Sequence, residues 1–344
     1  MAQQRLAMAN VVGYRRLFKY VIRGPSVLKR TVAKEPVATL GRLGILPNEP
    51  LGIIISECCD IQTIVTSFSL VNRCARKVVD ASLAFQRVSR HAPAALVVMF
   101  RTQAASFFTL EDICNALCSN SSCSLCGGFG PLLWLPECRR CCLPCLWKAP
   151  ELLPISQSAA TEAFGISKAV LASVPIVCSV PGEYGHPHVN CQDIRYLLSF
   201  ARARAAAVED AGGETQLMAR INSVPRRRAA YKSFIKSQGS QRDSENAARC
   251  MVAVPLPYFN RRLGKTEKGR SCAGCEELVY EDRLWQPNIE VDDDDDFRRY
   301  NTVFTIEGLI RHVWAECPEG KRIWKRHLKK SKGKGKPVLR REWE

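Results

Sequence analysis

The chain has 344 residues, nearly half of them apolar, with thirteen Phe and six Trp. That is enough to bury a core, and it excludes a largely disordered polymer. The formal charge of +17 is uneven: residues 1–34 carry eight Lys/Arg and no acid, residues 321–344 carry eleven Lys/Arg and two Glu, and 35–320 hold 31 of each sign. Nucleic-acid binding by charge alone would therefore fall to the ends.

No stretch approaches the ~18 consecutive apolar residues of a membrane span, and no apolar segment resembles the core of a secretory signal. A cytoplasmic or nuclear, reducing setting is expected. There, Cys-x-x-Cys pairs among the seventeen cysteines read as metal sites rather than disulfides.

Residues 1–42 are expected to be a basic arm. Within it, Val11, Tyr14, Leu17, Phe18, Val21 and Ile22 recur at helical spacing, with Arg15, Arg16, Lys19 and Arg23 off that stripe, and Gly24-Pro25 ends the pattern. Such an acid-free amphipathic start is similar to a mitochondrial presequence. It would also suit an anionic membrane surface, or serve as a loosely docked basic helix.

Residues 43–80 carry the clearest helical signal. Pro47 suits a helix start, and Leu51, Ile53, Ile54 and Ile55 follow. Asp60 is a good cap for a further helix, in which Ile61, Ile64, Val65, Phe68, Val71, Ala75, Val78 and Val79 form one apolar face. The hairpin has more apolar surface than two helices cover, so part of it must meet the remaining chain or a partner.

This segment, LPNE through SLVNRCAR, resembles an F-box. The resemblance implies a three-helix module over 43–85 that docks on the Skp adaptor, and through it on a cullin and the ubiquitin-conjugating machinery. Its adaptor-facing residues would be Leu46, Pro47, Ile53, Ile54, Ile64, Leu70 and Val71. Two residues depart from the family pattern: Gly52 weakens a helix by up to about 1 kcal/mol, and Pro50 is harmless only in the first turn.

Downstream, Leu96–Phe100 reads as a buried strand or a helix segment, and Thr109-Leu110-Glu111-Asp112 opens a helix through Leu117. Then come six cysteines within residues 123–145. Cys123 and Cys126 form one chelating pair. The second pair is Cys142/Cys145, with Cys138/Cys141 as the alternative, since both have the spacing that tetrahedral thiolate ligation of zinc requires. Arg139 and Arg140 would offset thiolate charge.

The cysteine block, the Phe164-Gly165 turn, Pro181-Gly182-Glu183-Tyr184, Pro255-Leu256-Pro257 and a later Cys-x-x-Cys are similar, in that order, to a family of filamentous-fungal F-box proteins. The likeness extends over roughly 43–328. His186-Pro187-His188 with Cys191 reads as a surface loop.

In the C-terminal third, Ile194, Leu197, Leu198 and Ala201 recur at helical spacing, Ala211-Gly212-Gly213 is a break, and a helix over about 215–236 meets Pro225. Residues 238–247 read as a polar loop. Cys272, Cys275, His312 and Cys317 make a second four-ligand set, which a closed structural zinc site requires. Two Zn2+ per chain are thus expected. Asp292–Asp296 reads as a solvated loop, and 329–344 as a basic disordered tail.

Phosphate-binding, nucleophile-elbow and metalloprotease motifs are absent from the sequence, so catalysis is not expected. The expected fold is mainly α: an N-terminal three-helix F-box followed by an irregular, zinc-stapled helical domain over 86–328 with little β. The expected function is a receptor presenting a protein target to a ubiquitin ligase. The alternative is a zinc-stabilised nucleic-acid-binding protein that uses its basic tails.

Overall fold

A computed structural model describes residues 39–184, 189–237, 243–277, 298–299 and 301–330. The amphipathic stretch 11–23, His186-Pro187-His188, Asp292–Asp296 and the tail 331–344 lie outside the described residues. As expected, the fold is mainly helical, and among the described residues its strands are short pieces in four small sheets.

A 3-10 turn at Gly41–Ile45 leads into α1 (Asn48–Cys58), for which Pro47 is the cap residue. Pro50 falls in the first turn, where a backbone N–H has no helical partner, so it costs the helix no hydrogen bond. Asp60 caps α2 as predicted, accepting from the Thr63 N–H (2.8 Å) and the Thr63 hydroxyl (2.6 Å). The long apolar helix expected after Asp60 is two helices. α2 spans 61–71, π-helical over Thr63–Phe68 and α-helical over Ser69–Val71. Asn72 then turns fully extended and caps α3 (Arg73–Ala81) through its side chain, which accepts from the Ala75 N–H. The Asn72 amide also donates to the Thr39 carbonyl (3.1 Å), tying the end of α2 to the residues before the opening turn.

α4 (Leu83–His91) and α5 (Pro93–Arg101) follow. α5 settles the ambiguity at Leu96–Phe100 in favour of a helix. α6 (Leu110–Cys118) begins with a capping box in which Thr109 and Asp112 exchange hydrogen bonds.

Strand β1 (Leu132–Trp134) is central to a three-stranded antiparallel sheet. It pairs with β2 (Arg139–Cys141) on one side, Leu133 opposite Arg140. On the other it pairs with a late strand at Ala253–Pro255, Leu133 opposite Val254. A short helix α7 (Leu143–Lys148) leaves β2. These elements and α1–α6 share one core, from Leu51 and Ile61 through Trp134 to Leu256. The core is thus continuous across residue 85.

A second core forms around β3 (Pro154–Ser156), α8 (Gln157–Phe164) and α9 (Lys168–Leu171), followed by β4 (Val177–Cys178). A two-stranded ribbon, β5 (Gly182–Tyr184) with β6 (Val189–Cys191), precedes β7. The helix expected around Leu197 and Leu198 is instead β7 (Tyr196–Ser199), which lies between β3 and β4. Helix begins only where the Ser199 hydroxyl caps α10 (Phe200–Ala211). Gly212 ends it in the left-handed conformation. α11 (Glu214–Ser223) and α12 (Pro225–Ser237) confirm the interruption at Pro225. Residues 243–247, expected in a polar loop, belong to α13 (Asp243–Met251).

β8 (Ala253–Pro255) completes the first sheet, and β9 (Tyr258–Asn260) pairs with β10 (Lys265–Glu267). The last two helices, α14 (Ile306–Ala315) and α15 (Pro318–Lys330), enclose a small third core with Cys272 and Cys275.

Candidate metal centres

The chain brings together both four-ligand sets. The ligand atoms of Cys123, Cys126, Cys142 and Cys145 lie within 4.8 Å of one another, and so do those of Cys272, Cys275, His312 and Cys317. Bonds of about 2.3 Å to a tetrahedral ion place two sulfurs about 3.8 Å apart. The observed separations are 3.6 Å between Cys126 and Cys142, 3.8 Å between Cys272 and Cys317, and 3.9 Å between Cys275 and Cys317. Each set fits one divalent ion of the zinc type. The cysteines are all free thiols, so no disulfide competes for them.

The first centre is made by a turn and a helix start. Cys123 to Gly128 is a knuckle, closed by the Gly127 N–H donating to the Cys123 carbonyl (3.0 Å), with Gly127 at φ +75°. Cys142 is the cap residue of α7, and its sulfur accepts from the Cys145 N–H at 3.5 Å. This decides between the candidate pairs. Cys141 is buried within β2, Cys138 sits in the left-handed turn before it, and neither belongs to the cluster. Burial raises the pKa of both thiols, which favours the inert neutral form.

Within the centre, the Cys142 thiol holds Cys123 down to about 4, with further help from the backbone N–H groups of Cys126, Leu125 and Cys142. Its partner Cys142 is correspondingly raised, and burial pushes Cys145 up to about 12. Crowded sulfurs cannot all ionise unless a cation joins them.

The second centre has a similar knuckle. Cys272 immediately precedes a helical turn at 273–277, and Cys275 lies within it. Gly274 sits so close to Gly320 that a Cβ there would collide with the Gly320 backbone nitrogen, so the approach requires glycine. The Gly320 N–H donates to the Cys317 sulfur at 3.3 Å. The neighbouring Cys275 thiol, with the Cys275 and Gly274 N–H groups, lowers Cys272 to about 5. The Nε2 of His312 lies 3.2 Å from the Cys275 sulfur. Its other nitrogen, Nδ1, lies 3.0 Å from Glu316 Oε2, and Phe304 stacks on the ring at 4.5 Å. A carboxylate on Nδ1 fixes the tautomer that leaves Nε2 free to ligate.

Arg140 has a larger part than charge balance. It is buried, and its guanidinium donates to the carbonyls of Ala116, Gly130, Leu256 and Pro257. It joins the end of α6, the knuckle and the segment after β8 beside the first centre. Arg249, also buried, donates to the carbonyls of Leu146, Ala149 and Leu152 around the end of α7. Its place beside the cysteines marked Arg140 only as charge balance, and nothing local in the sequence marks Arg249. Glu316 was not singled out either, though its place one helical turn after a ligand histidine is the signal that could have found it.

The expected docking residues divide. Leu46, Pro47, Ile53, Ile54, Leu70 and Val71 are exposed, Ile53 at 57% and Val71 at 70%. Ile64 is 1% exposed and packs in the first core, so it cannot face a partner. Leu43, Ile45 and Leu83, which the motif did not single out, are exposed large apolar side chains of the same region.

No protein-family model, curated protein or solved structure matches the chain. Among the described residues, no helix is long and apolar enough to cross a membrane.

Proposed function

We propose that the chain is a non-catalytic receptor of the F-box type, which docks on a Skp-type adaptor through residues 43–85 and presents a protein target to a cullin-based ubiquitin ligase. One observation carries the reading. Leu46, Ile53, Ile54, Leu70 and Val71 stay exposed although Ile61, Ile64, Val78 and Val79 of the same region are buried. Water-facing apolar side chains at this density on a short helical segment are what a partner's apolar groove covers. The bond from Asn72 to Thr39 brings the Leu70–Val71 end of this surface to the residues preceding the turn that carries Leu43 and Ile45. We assign zinc to both centres, because four thiolates, or three thiolates with one imidazole, make closed structural shells for that ion.

Two measurements test this. Purified full-length protein should contain about two zinc ions per chain. It should also co-elute with a Skp-type adaptor, and Val71→Asp should remove the adaptor while leaving the zinc content and helical signal intact. Co-elution unchanged by Val71→Asp would reject the docking surface.

A further inference from the structure

We propose that α14 and α15 form a binding surface for single-stranded nucleic acid, held in shape by the second metal centre. The surface lies on helices other than those of the docking face, so either assignment can fail alone.

The basic excess of the C-terminal end begins within this module: 298–320 balance three Lys/Arg with three Glu, and 321–330 add six Lys/Arg and no acid. Residues 298–330 carry nine Lys/Arg against three Glu. Two of those acids are engaged inside the module, Glu316 with His312 and Glu319 with Arg322. On α14, Ile310, Arg311 and Trp314 are exposed, Trp314 at 46%. The Lys321 ammonium of α15 lies 5.0 Å from the centroid of the Trp314 ring. Lys325 stands one turn further along α15 and is exposed, which puts it on the same face as Lys321.

The patch therefore interleaves an exposed indole with cations. Cations pair with backbone phosphates, and an aromatic ring stacks on an unpaired base of any sequence. A duplex offers the phosphates but keeps its base faces stacked on one another. An acidic peptide or an anionic membrane offers charge without the flat partner that Trp314 suits. His312 and Cys317 lie at the end of α14 and just before α15, so an ion on them fixes the angle between the helices. Beyond the described helix, the sequence continues with further lysines.

The test is fluorescence anisotropy of a labelled oligo-uridine of about 20 nucleotides with the zinc-loaded full chain over a range of KCl concentrations. Affinity should fall steeply with salt. Trp314→Ala should weaken binding about tenfold, and Trp314→Phe should restore most of it. The double substitution Lys321→Ala, Lys325→Ala should weaken binding and lower the salt slope by about 1.4, the value for two lost phosphate contacts to a single strand. All variants should keep two zinc ions. Any of three results overturns the proposal: variants that bind as tightly as the parent chain, a blunt duplex that competes equally, or capture by anionic vesicles without binding of the oligonucleotide.

Discussion

The Nδ1 of His312 and the Oε2 of Glu316 lie 3.0 Å apart, one turn along α14, with the Nε2 of the same ring 3.2 Å from the Cys275 sulfur. The carboxylate orients the imidazole that would hold an ion through its other nitrogen. Glu316→Ala should therefore weaken zinc at the second centre about tenfold or more. Competition with a chromogenic chelator checks this: one of two ions should leave earlier, and the other should be unchanged.

Zinc uptake at the first centre should release protons. With Cys142 raised and Cys145 pushed up to about 12, both sulfurs hold protons at pH 7 in the metal-free chain, whereas Cys123, near 4, does not. Ligation needs thiolates, so at least two protons must leave. Affinity should rise with pH by at least about two powers of ten per unit around neutrality and fall correspondingly in acid. Calorimetric titration of a metal-free Cys272→Ser, Cys275→Ser variant, in buffers of different ionisation enthalpy, counts the protons. A count near zero would contradict the protonation pattern.

Arg140 should be among the most costly residues to replace away from the ligands. Arg140→Met leaves four carbonyls without their donor, in a place that is nearly closed to water. A loss of about 3–5 kcal/mol is expected in chemical denaturation, with zinc bound throughout. Arg140→Lys should not rescue it, because an ammonium cannot reproduce the planar fork that reaches three segments.

Ile53 and Ile64 should behave as opposites, although both were expected on the docking face. Ile53→Asp places a charge in water and should leave thermal stability nearly unchanged while removing the adaptor. Ile64→Asp places a charge in the first core and should unfold α1–α4, at a cost above about 4 kcal/mol. Circular-dichroism melts beside adaptor co-elution separate the two. Equal melting temperatures for both variants would refute the burial argument.

Both ligand sets were legible because chelation by cysteine depends on spacing, although spacing alone left Cys138/Cys141 open beside Cys142/Cys145. The capping box at Thr109 and the break at Gly212 were legible for the same reason: each depends on a few adjacent residues. Ile64 was misplaced because an apolar stripe says which residues leave water, not whether they enter this chain's core or a partner's. Asn72 was read through as helix, though its capping bond to Ala75 divides α2 from α3. Leu197 and Leu198 fit a helical spacing, but strand is imposed by neighbours far away, Ile155 and Val177, to which they pair. Arg140 was read only as charge balance and Arg249 was not singled out, because their partners are carbonyls, which every residue has.

The pairing of β1 with β8 has a consequence for how the chain can be made. The chain between Cys141 and Ala253 leaves this sheet and comes back to it. On a ribosome, α1–α6 and the first metal knuckle emerge long before β8. Arg140 must wait for Leu256 and Pro257 before its guanidinium is satisfied. The second core, built within that excursion, has no such wait and can close first. The chain can therefore pass through a stage in which the second core is complete while the first still waits for β8. During that stage the apolar helices are exposed to chaperones, and an early zinc ion would be the first thing to hold the knuckle.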